Sequence, residues 1–155
     1  MQKITTFLWF DDQAEAAVEH YTSIFDDTKV VEVHRYGASG PGTPGSVMTI
    51  VFELAGQRFI ALNGGPTFTF TEAISLSVDC ADQDEVDRYW ARLTDGGVEQ
   101  PCGWLKDRFG VSWQIVPRQL MELLADPDPG RVERVTRAML TMKKIDVAAL
   151  VAAAG

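Results

Sequence analysis

Positive charge is scarce in this chain. Against 22 aspartates and glutamates it carries 14 lysines and arginines, a formal balance of −8. A nucleic-acid backbone or an anionic membrane needs clustered cations to displace counterions, so both are excluded as partners. Histidine is nearly absent as well: His20 and His34 are the only two, and their separation offers neither HxH nor HxxxH geometry. No imidazole metal motif can be read from them. The two cysteines, Cys80 and Cys102, form no regular framework. They fit free thiols in a reducing compartment better than a disulfide. The opening residues Met1-Gln-Lys-Ile-Thr-Thr lack the apolar core of a leader, and no apolar run approaches the roughly 20 residues of a membrane span. These absences point to the cytoplasm.

What remains is a globular chain of 155 residues, 46% hydrophobic, long enough to bury a core. It repeats itself. Residues 7–25 lie over residues 75–93 without a gap, pairing Asp11 with Asp79, Val18 with Val86, Tyr21 with Tyr89 and Phe25 with Leu93. Each copy reads as a strand, an acidic turn and an amphipathic helix, and each is followed by further strand-like runs. A duplicated βαβββ unit explains this better than two unrelated strand-to-helix connections.

Periodicity orders the elements. Residues 4–10 are strand-like, with Asp11 or Asp12 as N-cap of a helix whose stripe is Ala14, Ala17, Val18, Tyr21, Ile24 and Phe25. Residues 29–35 alternate, the Gly- and Pro-rich residues 37–45 make an exposed loop, and strands over 47–54 and 58–62 flank a hairpin turn at residues 55–57. The second unit opens with a strand over 73–78 and a helix bearing Val86, Tyr89, Trp90 and Leu93, ended by Gly96-Gly97. Short strands near Val98 and Trp104, a turn at 107–110 and a strand over 111–116 complete it. The expected organisation is α+β: a first βαβββ module over 1–66, a second over 67–117, and a helical tail over 118–155, all in one compact domain. Because short helices do not persist alone in water, the tail must dock on the modules or on a second subunit.

Several residues invite chemistry. The glycine loop at 37–45 opens no helix, so it is no phosphate cradle. His34, on a strand, could act as a base if it lines a cavity, whereas His20 reads as a rim residue. Cys102 is a nucleophile or an inert buried thiol. In the final hairpin, Ser112, Gln114 and Val116 share one face, and Trp113 and Ile115 the other. Gln114 is therefore either a satisfied core amide or a contact to a ligand.

The segments Phe10-Asp-Asp12, Ala61-Leu-Asn-Gly-Gly-Pro66, Ala73-Ile-Ser-Leu-Ser-Val-Asp79, Asp87-Arg-Tyr-Trp90 and the cluster from Cys102 to Pro117 resemble the vicinal-oxygen-chelate superfamily (the glyoxalase, bleomycin-resistance and dioxygenase group). Within it, they resemble the PhnB-like subgroup labelled 3-demethylubiquinone-9 3-methyltransferase. The resemblance covers essentially the whole chain. It implies paired modules whose curved sheets form a cup, generally in a homodimer, with a divalent metal that chelates adjacent substrate oxygens in the enzymes. Carried over, the metal positions fall on Thr5, on Ala61 or Ile60, on Ala73 and on Gln114. None of these is a strong ligand, and Glu72 lies one residue from the expected place, a step along a strand that turns its side chain to the opposite face. No metal and no cofactor are therefore expected.

Strand phase assigns the cup lining to Thr5, Phe7, Trp9, Phe59, Asn63, Ser75, Ser77, Ser112 and Gln114, a surface suited to a small, partly aromatic, weakly charged molecule. Two functions remain open. One is a protein that binds or sequesters a small organic ligand in a metal-free cup; the other is a metal-independent lyase, isomerase or transferase with His34, Cys102 or Asp107 moving protons.

Overall fold

The computed structural model describes residues 2–155. The chain divides into two compact units, Met1–Phe70 and Thr71–Gly155. In the first, β1 (Thr6–Phe10) leads into α1 (Ala14–Ile24), followed by β2 (Lys29–Arg35), β3 (Val47–Leu54) and β4 (Gln57–Asn63). In the second, β5 (Leu76–Cys80) leads into α2 (Gln83–Thr94), then β6 (Val98–Glu99), a 3-10 turn (Pro101–Gly103), β7 (Trp104–Lys106) and β8 (Ser112–Pro117). Both sheets have the same topology. Their orders are β1-β4-β3-β2 and β5-β8-β7-β6, with the first and last strand of each unit running parallel. Each unit is thus a βαβββ module in an α+β fold.

The repeat is visible in packing too. Val18, Tyr21 and Phe25 are buried in the first module, as are Val86, Tyr89 and Leu93 in the second. The strands drift: β5 starts and ends two residues later than the gapless overlay would place it. A two-residue slip preserves which face each side chain takes, so the core pattern survives it.

Local chemistry closes the connections. Ala55 and Gly56 both take positive φ, 48° and 76°, as the tight turn between β3 and β4 requires. The Gly- and Pro-rich connection folds over the buried ring of Tyr36, and a Cβ on Gly42 would lie 2.3 Å from that ring. Glycine is there for close approach. Helix α2 has Asp82 accepting from the Glu85 N–H at 3.0 Å while Glu85 accepts from the Ala81 N–H at 2.7 Å, an exchange close to a capping box. Helix α1 differs from expectation. Neither Asp11 nor Asp12 caps it; its first N–H, on Ala14, donates to Asn63 Oδ1 at 2.8 Å, so the cap comes from the end of β4.

The tail forms α3 (Arg118–Leu124), α4 (Pro129–Met139) and α5 (Val147–Ala154), with Asp128 and Asp146 as side-chain caps. Leu120, Val135, Ile145, Leu150 and Ala154 make its core, against which Val116 of β8 packs. Backbone bonds from the Cys102 and Gly103 N–H groups to Met142 and Lys143 tie it to the 3-10 turn. It therefore belongs to the second unit. Phe68 and Phe70 belong to the first unit, where their rings lie edge-on to Trp9 and Phe10 at 4.9 and 5.2 Å.

Candidate ligand-binding face

Register defines one polar face of the second sheet. Trp113, Ile115 and Pro117 are buried on the side of α2, so Ser112 and Gln114 take the other side. Ser77 pairs with Gln114 across β5, while Trp104 and Lys106 of β7 pair with Gln114 and Ser112. The Gln114 carboxamide donates to Ser75 Oγ at 2.9 Å. Ser112 is 1% exposed, and its hydroxyl has no hydrogen-bond partner among the described residues. Beside it, the Lys106 ammonium is hydrogen-bonded to Glu72. That bond, followed by a backbone hydrogen bond of Glu72 itself, holds the Glu72 carboxyl below the usual range.

Glu72 thus reaches this face. Residues 71–75 precede β5 and are not strand, so the alternation that would have turned Glu72 away does not apply.

The three proton-transfer candidates take unlike positions. Asp107 is 3% exposed. Its Oδ1 accepts from the Phe109 and Val111 N–H groups at 2.9 and 3.0 Å, and its Oδ2 from the Trp113 indole at 2.9 Å. That carboxylate organises the turn into β8. Cys102 is half-buried with φ 62° at the 3-10 turn. His34 is on the exposed edge strand β2, 3.0 Å from Glu32. Cys80 is inert: burial, then the charges of Glu85 and Asp79, push its thiol up to about 12.

In the first unit the register corrects the expected lining. Phe59 pairs with Phe52 and stacks on it at 5.7 Å on the buried side facing α1. Asn63 shares that phase and is occupied by Ala14, Glu15 and Val47. The opposite face instead carries Ile60 and Leu62, paired with Phe7 and Trp9. Thr5 and Trp9 are half-buried and Phe7 is exposed. A hollow of about 360 Å³ near Asn63 is rimmed by Asp11, Asp12 and Glu15, a charge that repels anionic ligands.

Residues 2–116 match the model of the 3-demethylubiquinone-9 3-methyltransferase family. The chain belongs to that family. A Bacillus cereus PhnB protein, described as a 3-demethylubiquinone-9 3-methyltransferase, is 40% identical, with 75% of this chain and 99% of that one covered at a TM-score of 0.69. Protein PA1353 of Pseudomonas aeruginosa is 19% identical over 76% and 98%, at a TM-score of 0.64. The fosfomycin resistance protein FosX of Mesorhizobium loti is 17% identical over 81% and 100%, at 0.57. The last two share the fold, which is that of the vicinal-oxygen-chelate superfamily. No curated protein matches the chain.

Superfamily enzymes hold a divalent metal, and in this member of the 3-demethylubiquinone-9 3-methyltransferase family the donor set does not fit one. Ile60 rather than Ala61 has the open-face phase, Thr5 and Ala73 precede their strands, and Gln114 is an amide bonded to Ser75. Glu72 is a carboxylate on that face, but its charge is taken by Lys106, no group of three His, Cys, Asp or Glu side chains gathers among the described residues, and hydroxyl, alkyl and amide groups beside it make a poor cation site. No step through a metal follows from these residues.

Proposed function

We propose that this protein binds a small, partly aromatic organic molecule on the face of the second sheet carrying Ser75, Ser77, Ser112 and Gln114, without a metal ion. The observation that supports this most is the Ser112 hydroxyl, buried with no partner among the described residues. An unpaired buried polar group costs about 1–3 kcal/mol, and an oxygen or nitrogen of a ligand would relieve that cost. Trp104, paired with Gln114, supplies a flat apolar surface beside the polar groups. Thr5, Phe7 and Trp9 offer a second, aromatic face in the first unit. Binding is preferred to turnover because the Asp107 oxygens are held by three donors and His34 is paired with Glu32.

The protein acts in the cytoplasm as a homodimer, the assembly its superfamily implies. Support comes from the edge strand β2, where Val30 and Val33 are 51% and 47% exposed. Light scattering checks the mass. The ligand is tested by native mass spectrometry of protein incubated with a metabolite extract. A bound organic mass is expected in the wild type and should be lost in Ser112→Ala and Gln114→Ala; equal retention by both variants would overturn the site.

A further inference from the structure

Lys106 is the register partner of Ser112, so the two side chains leave neighbouring positions on one face, and the Ser112 hydroxyl there has no partner among the described residues. The Lys106 side chain is 32% exposed and its ammonium is paired, a partly exposed ion pair that an incoming anion can replace at modest cost. Glu72 supplies the partner carboxylate from a non-strand segment, with its own side chain 48% exposed. A lysine ammonium bonded to a carboxylate is a charge-assisted pair of the kind that recognises ligand carboxylates. Here the carboxylate position is filled by a residue of the chain that leaves the neighbouring Ser112 hydroxyl unsatisfied. Trp104 follows two residues earlier along β7, on the same face and opposite Gln114.

Resting on the ligand-binding reading above, we infer that the ligand is a small aromatic carboxylate, and that Glu72 occupies the carboxylate position until the ligand replaces it. The incoming carboxylate takes Lys106 from Glu72 and adds the Ser112 hydroxyl, which Glu72 does not engage. Its ring lies against Trp104. Release of Glu72 frees residues 71–75, so the exchange couples occupancy of this face to the order of that segment. Glu72 therefore sets specificity: a neutral molecule cannot compensate Lys106 for the lost partner.

Titration calorimetry with benzoate, salicylate and phenylacetate, and with benzamide as the neutral counterpart, tests this. At least one carboxylate should bind the wild type more tightly than benzamide. Glu72→Gln removes the competitor from an exposed pair and should raise carboxylate affinity by about two- to fivefold. Lys106→Met, checked for folding by circular dichroism, should lower it by about tenfold or more. Benzamide should respond to neither. If benzamide binds as well as benzoate, if Glu72→Gln leaves carboxylate affinity unchanged or weaker, or if no carboxylate binds, the inference fails. Loss of a neutral ligand in Ser112→Ala and Gln114→Ala would sink the carboxylate assignment while leaving the binding face intact. Indifference of every ligand to those two variants would sink both.

Discussion

Replacing Asp107 distinguishes a proton-transfer group from a structural one. Its Oδ1 accepts from the N–H groups of Phe109 and Val111, and its Oδ2 from the indole of Trp113. In Asp107→Ala the Phe109 N–H, only part-buried, can recover water. The Val111 N–H and the Trp113 indole are buried and are left without those acceptors. At about 1–3 kcal/mol for each orphaned buried donor, the second unit should lose about 3–5 kcal/mol. Asp107→Asn places an amide nitrogen against one of the three donors and should lose about 2 kcal/mol or more. Urea unfolding followed by tryptophan fluorescence reads both values. Because Trp113→Phe removes one donor, the cost of Asp107→Asn should shrink in that background, and the double-mutant cycle isolates the coupling. A loss under about 1 kcal/mol in Asp107→Ala would refute the structural role and return Asp107 to the candidates for chemistry.

Other outcomes follow from single contacts. Ser112→Ala removes a buried hydroxyl that has no partner among the described residues, so it should leave stability unchanged or raise it by about 0.5–1 kcal/mol while weakening ligand binding; chemical denaturation alongside calorimetry reads both. Asn63→Ala deletes the side chain that caps α1 through Ala14 and should cost about 1–2 kcal/mol in the same assay. Cys80, buried and with its thiol pushed up to about 12, should resist a disulfide reagent at neutral pH until the chain is unfolded. Thiol counting should therefore give no more than one reactive group, Cys102, in native protein and both in urea.

Much of the fold follows from alternation and repetition. The Ser112-Trp-Gln-Ile115 pattern alternates polar and apolar residues, so its phase, and with it the polar face, could be read directly. In β4 the run Phe59-Ile-Ala-Leu62 is apolar throughout and contains no alternation to set a phase. Only its pairing with β3, Phe52 against Phe59, decides which residues face α1. Phe59 and Asn63 were therefore expected on the open face, which Ile60 and Leu62 hold. The α1 cap depends on a residue 49 positions away, and the Asp107 bond to Trp113 forms only when the final hairpin closes. Neither contact leaves a local pattern. Glu72 depends on β5 starting at Leu76, and strand boundaries are what periodicity resolves least.

The central claim, metal-independent binding on the face of Ser112 and Gln114, is tested most directly by 1H–15N spectra. The side-chain amide of Gln114 and the indole of Trp104 are followed while the bound metabolite, or a small aromatic carboxylate, is titrated in excess chelator. Both signals should shift saturably with chelator present, and added zinc or manganese should leave the affinity unchanged. Shifts confined to residues around Asp11, Asp12 and Glu15, or binding that appears only after a divalent cation is restored, would contradict the account.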